Sequence, residues 1–169
     1  TEVKIAHASQ FRRFMADGVY GSNKRYVTTD MSKSVNAVLG TSGDFYQYRN
    51  YGLVVNNRKV LRAEFETMDT CFIDDNGDLL FAYREQFATE EEAQKFVDEN
   101  NVRFSLAFGP VLIEDGQVCV PPSYKFGEVN GTYTRAALCQ MDELHYLIVI
   151  GGGGHGAGTR HTMKQFAEQ

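Results

Sequence analysis

Asp44 closes a short corner, Gly40-Thr41-Ser42-Gly43-Asp44, and two aromatic residues, Phe45 and Tyr46, follow it at once. A carboxylate on a small-residue turn can serve as acid, base or nucleophile, because the turn holds it at the edge of a rigid scaffold. The same pattern also suits a plain turn capped by an aspartate, and the residues alone leave both readings open. Far along the chain, Arg135 opens an otherwise apolar run, Ala136-Ala137-Leu138-Cys139. An arginine there is either a solvated strand end or a planar fork for a phosphate or carboxylate. Paired with Asp44 on a neighbouring strand, it would join an acid–base group to an anion clamp. A third group follows the apolar run that ends at Ile150. It is a glycine-rich stretch, Gly151 to Gly158, carrying His155, with Arg160 and His161 just beyond. Such a stretch reads as a mobile rim loop from which one of these cations reaches a substrate.

Other chemistries lack their residues. The glycine stretch has no Gly-Lys-Ser/Thr and no strand–helix–strand context, so nucleotide binding is not expected. His7 and His145 fall in strand-like runs without metal-ligand spacing, and no serine stands in a Gly-x-Ser-x-Gly setting. Neither a metal nor a cofactor is expected. Three cysteines, Cys71, Cys119 and Cys139, are widely spaced and form no Cys-x-x-Cys pair. The net charge of −5 argues against binding a nucleic-acid backbone, which needs a basic field. No run approaches the roughly 20 apolar residues that span a bilayer.

These groups must be positioned by a single domain, which 169 residues with 43% hydrophobic content can build around its own core. Val3 to His7 alternates as a first strand, and Gln10 to Asp17 reads as a helix, with Phe11, Phe14 and Met15 on one face. A loop of turn formers, Tyr20 to Tyr26, precedes a short helix from about Thr29 to Ser34 and a buried strand over Val35 to Leu39. Hairpins are expected around Asn56-Asn57, Asp74 to Asp78 and Asp115-Gly116. The acids of the second resemble a calcium loop, but its glycine comes too early and the hairpin alone accounts for them. Thr89-Glu90-Glu91-Glu92 caps a helix to about Asn100 with Ala93, Phe96 and Val97 inward. Strands follow at Phe104 to Phe108, Arg135 to Met141 and Leu144 to Ile150, and Thr162 caps a last helix. The expected class is α+β, a mixed, largely antiparallel multi-stranded sheet built from hairpins with a few short helices.

Four stretches in sequence order resemble the phosphodiester glycosidase family. Ala37 to Lys59 is similar to its apolar strand, Gly-Asp-Phe-Tyr turn and following hairpin, and Phe104 to Val118 to its Gly-Pro-x-Leu-Val-x-Asp-Gly segment. Thr134 to Ile150 is similar to its Arg-Thr-Ala-Ile-Gly-Gln strand and the next strand, and Thr162 to Ala167 to the helix entered through Gly-Met-Thr. The resemblance implies hydrolysis of the bond between a sugar's anomeric carbon and a phosphodiester, on a carbohydrate or sugar-phosphate substrate. On it, Asp44 and Arg135 carry the chemistry. It implies that Gly43 and Gly109 line or support the site as well, and Ser42, Tyr46, His155 and Arg160 are expected as further substrate contacts. It also implies a secreted or cell-surface, bacterial-type protein. The family's asparagine before Gly-Asp is Ser42 here, its Asp-Gly-Arg after the last strand gives way to glycines, and its Ala-Ile-Gly is Ala137-Leu138-Cys139. Its Asn-Leu-Asp-Gly-Gly-Gly-Ser-Ser segment beyond the last helix does not follow within 169 residues, which implies a missing site wall and an open sheet edge for self-association. The alternative function is a surface glycan- or partner-binding module that has lost the chemistry, using Tyr46, Tyr48, Tyr51 and the glycine loop.

Overall fold

The computed structural model describes residues 1–44, 46, 50–65, 67–125, 129–152 and 160–169. The described strands all pair antiparallel, in three sheets. In chain order they are β1 (Glu2–Lys4), β2 (Val54–Asn56), β3 (Lys59–Arg62), β4 (Thr70–Asp74), β5 (Leu79–Ala82), β6 (Val102–Leu106), β7 (Ile113–Glu114), β8 (Gln117–Val118), β9 (Arg135–Asp142) and β10 (His145–Gly151). Three α-helices accompany them: α1 (Thr28–Ser34), α2 (Glu90–Glu99) and α3 (Met163–Ala167). The class is α+β, as expected, with the strands divided into sheets of order β3-β2-β6-β4-β5, β1-β10-β9 and β7-β8.

Hairpins build most of this. At the β2–β3 turn the positive φ falls on Asn57 and Arg58, 50° and 64°, one residue later than the Asn56-Asn57 expectation. At the β4–β5 turn Asp74 accepts the amides of Asn76 (2.9 Å) and Asp78 (2.8 Å), so its carboxylate organises the turn. Helix α2 is capped by Thr89, which accepts the Glu92 amide at 3.2 Å. Ala93 and Val97 of α2 enter the main core with Leu53, Val55, Val60, Phe72 and Val102.

One buried hydroxyl stitches the middle of the five-stranded sheet. The ladder between β2 and β6 pairs only Asn56 with Phe104. Beyond that point Ser105 Oγ accepts the Val55 amide (2.8 Å) and donates to the Leu53 carbonyl (3.0 Å), replacing backbone pairing. The two larger sheets meet at the β4–β5 turn. Gln140 bonds Leu79 and Asp78 there, and the Tyr146 hydroxyl donates to the Gly77 carbonyl at 2.7 Å. Phe11 fills the junction edge-on to Phe104 and Tyr146.

Two expected elements do not form. Residues 10–17 are not a helix, only short 3-10 turns at Ala8–Gln10 and Ala16–Gly18. Phe11, Arg13 and Met15 turn inward while Arg12 and Phe14 face solvent, a period of two rather than 3.6. The apolar spacing suggested a helix because Phe14 matched it, yet Phe14 is 44% exposed. Residues 35–39 are not a buried strand either. The amides of Val35 and Ala37 turn back onto Ser32, and that of Asn36, at φ 51°, onto Lys33, so they end α1 instead of joining a sheet. Val38 is then fully exposed.

Candidate functional site

The Gly-Asp corner sits against the end of β6. Asp44 is not on a strand, and its ion-pair partner is Arg13 rather than Arg135. Arg13 Nη2 donates to Asp44 Oδ1 at 2.7 Å, with the two side chains 6% and 4% exposed. The Ala107 amide donates to the other oxygen, Oδ2, at 3.1 Å. Arg13 also donates to the carbonyl of Ser105, the residue that stitches β2 to β6. Thus the carboxylate is bonded on both oxygens and lies within the wall. Burial raises the Asp44 pKa, opposed by the Arg13 charge and the Ala107 amide. Burial in turn lowers that of Arg13, opposed by Asp44.

Tyr46, which packs on this pair, also lines a cleft of about 240 Å³, and neither Asp44 nor Arg13 is among its lining residues. The Tyr46 ring covers the Arg13 guanidinium, 5.0 Å from Arg13 Cζ to the ring centroid, and Tyr20 stacks on Tyr46 at 5.7 Å. Asn50 lies beside Tyr46 in the lining. Arg62, at the end of β3, fixes this segment by donating to the carbonyls of Tyr46 (2.8 Å), Gly52 (2.9 Å) and Tyr51. Glu64 accepts the Gly52 amide from the opposite side. Gly52 is required there: its φ is +87°, and a Cβ would stand 2.5 Å from that of Ala107.

The remaining lining comes from the Tyr20 to Arg25 loop, with Gly21, Ser22 and Asn23. Asp17 ties that loop. Tyr26 Oη donates to Asp17 Oδ1 at 2.5 Å and Ser22 Oγ to Oδ2 at 2.8 Å, with Lys24 Nζ at 3.6 Å. The hydrogen bonds from Tyr26 and Ser22 lower the Asp17 pKa.

Of the residues singled out in the sequence, the fold gathers Ser42, Gly43, Asp44 and Tyr46 at this corner. Ser42 is exposed, and Gly43 faces the Leu106 side chain, where a Cβ would meet Cδ2 at 3.2 Å. Gly109 lies two residues past the Asp44 anchor, before a cis bond to Pro110. A Cβ on it would stand 2.6 Å from the Tyr124 hydroxyl and 3.0 Å from Asp69 Cβ, so packing fills that side of it. Arg135 begins β9 in the other sheet. Its Nε donates to the His161 carbonyl (3.0 Å) and Nη2 to that of Gly131 (2.7 Å). Arg160 is exposed beside His161. His155, Tyr48 and most of the glycine loop lie outside the described residues.

The sequence reading missed Arg13, Asp17, Tyr20, Asn23, Arg25 and Asn50. Arg13 sat inside a supposed helix, where nothing local marked it. The 20–26 loop did carry a signal, two tyrosines flanking a run of polar side chains. Among the described residues no group of three or more His, Cys, Asp and Glu could hold a metal ion. No described helix is long and apolar enough to cross a membrane.

No curated protein and no solved structure matches the chain. A family model described as phosphodiester glycosidase matches residues 35–169, from the end of α1 through β9, β10 and α3 and including the Asp44 corner. The chain belongs to the phosphodiester glycosidase family.

Proposed function

We propose that this domain hydrolyses a sugar-1-phosphodiester, with the sugar seated in the cleft beside Tyr46 and the reaction centred on the Asp44 corner. Family membership supports a phosphodiester glycosidase-like activity. The observation that carries the placement is continuity: the cleft is lined by Tyr46, which stacks on the arginine paired with Asp44. Asp44 is the acid–base residue in this reading. Its pKa is raised by burial, the direction that lets a carboxyl keep a proton for a leaving group. Proton delivery requires Arg13 to release Oδ1. Arg25, in the cleft lining, is the nearer choice for a phosphate contact. Arg135 is bonded to two backbone carbonyls in the other sheet and does not line this cleft. Secretion to a cell envelope belongs to the same proposal and is checked by fractionation of the native host.

Binding without hydrolysis is the second reading, and one observation favours it. Both Asp44 oxygens are already bonded in a side chain that is 4% exposed. Release of free sugar from a panel of sugar-1-phosphodiesters, with Asp44→Asn beside the parent, separates the two. Turnover abolished in the folded variant supports hydrolysis through Asp44, and binding without turnover by the parent overturns it.

A further inference from the structure

The cleft is composite, and its two parts differ in origin. Tyr46 and Asn50 come from within the family match, whereas Tyr20, Ser22, Asn23 and Arg25 come from the loop upstream of residue 35. We infer that the upstream loop, residues 17–26, selects the substrate, and that it is shaped for a single sugar ring carrying one phosphate. This deepens the reading above and rests on it only for the identity of the site.

Size sets the first limit. At about 240 Å³ the cleft lies below the roughly 300–1,000 Å³ typical of sites for drug-sized ligands, so it suits one ring rather than a chain of rings. Chemistry sets the second. Tyr20 stacks on Tyr46 at 5.7 Å and is itself exposed, so its outer ring face is of the kind that the C–H face of a pyranose covers. The amides of Asn23 and Asn50 each offer a donor and an acceptor, the set that hydroxyl groups need. Among the described residues of that lining, Arg25 supplies a cationic fork, suited to a phosphate oxygen pair.

Preorganisation is the third point. Asp17 gathers Tyr26, Ser22 and Lys24 onto one carboxylate, at a backbone φ of 56° with Gly18 and Gly21 also at positive φ. A loop held by its own aspartate meets its ligand with less ordering to do on binding.

The test uses the whole chain and titration calorimetry with glucose-1-phosphate, mannose-1-phosphate, N-acetylglucosamine-1-phosphate and inorganic phosphate. The parent is expected to bind at least one sugar phosphate more tightly than inorganic phosphate. Tyr20→Ala and Asn23→Ala, both at exposed positions, are expected to weaken that sugar phosphate about tenfold and change the order of the three sugars. Their thermal unfolding should match the parent. Unchanged affinity and order in both variants overturns the inference, as does a parent that binds no sugar phosphate. Hydrolysis with an unaltered sugar order sinks the loop's role alone. Binding that follows the loop variants, in a protein that hydrolyses nothing, sinks the hydrolytic reading alone.

Discussion

Two aspartates hold the floor and the rim of the cleft by opposite means. Asp44, under the floor, is sealed with Arg13 between β6 and the Tyr46 ring. Asp17, at the rim, collects hydrogen bonds from hydroxyls of its own loop within reach of water. Burial raises the first and hydrogen bonding lowers the second, although the residue type is the same. The floor is thereby tied to the stability of the whole domain, and the rim can be altered without unfolding it.

The floor gives the largest expected effect. Arg13→Ala leaves a buried carboxylate without its counter-ion, which costs about 3–5 kcal/mol, read as a drop in urea unfolding free energy. Asp17→Asn, in an exposed loop, should cost far less than Arg13→Ala. Equal losses at the two sites would break the comparison. Arg135→Ala sharpens it, since the carbonyls left behind are neutral, and the loss there should be smaller than at Arg13.

Ser105→Ala comes next. It strands the buried Val55 amide and Leu53 carbonyl and loosens the strand end that Arg13 grips, so about 1–3 kcal/mol should be lost. A neutral result would mean that the β2–β6 seam does not support the floor.

The pH dependence separates the aspartates by sign. Asp44 is raised, so its share of stability is complete below the ordinary value of 3.8 and is lost as pH rises through the raised value. Asp17 is lowered, so its share is present above 3.8 and is lost as pH falls through the lowered value. Unfolding measured from about pH 2 to 7 should lose a falling limb in Asp44→Asn and a rising limb in Asp17→Asn. The same limb lost from both would refute the opposite shifts.

The smallest effect is kinetic. The Cys71 thiol, opposite Leu106 across the β4–β6 ladder, is pushed by burial up to about 12. Cys119, in contrast, is exposed. A thiol reagent at about pH 8 should label the exposed Cys119 first and the half-buried Cys71, whose thiol is raised, more slowly. Arg13→Ala should speed Cys71 labelling and leave Cys119 unchanged. Cys71 labelling as fast as Cys119 in the parent would show that the floor is not closed.

What was legible in the sequence was what local chemistry decides. The hairpins at Asn57, Gly77 and Gly116 rest on positive-φ turn residues, and α2 and α3 on threonine caps with their hydrogen-bond partners in the first turn. Asp44 stood out because small residues surround it. Where a competing interaction lay far along the chain, the local pattern misled. Phe11, Phe14 and Met15 spell a helix face, but Arg13 is drawn to Asp44, Phe11 to Phe104 and Tyr146, and the backbone extends to serve both. Val35 to Leu39 spell a strand, but the amides of Val35, Asn36 and Ala37 are taken by the end of α1.

By itself, then, the sequence determined the α+β class, the hairpins, the helix caps and the family, because each depends on residues close together or on an ordered set of short stretches. Tertiary structure alone decided that Arg13 is the partner of Asp44, 31 residues away, and that the 17–26 loop completes the cleft beside Tyr46. An ion pair or a shared wall between distant segments leaves no periodicity in either one. It exists only once burial has removed the water that would otherwise satisfy each group separately.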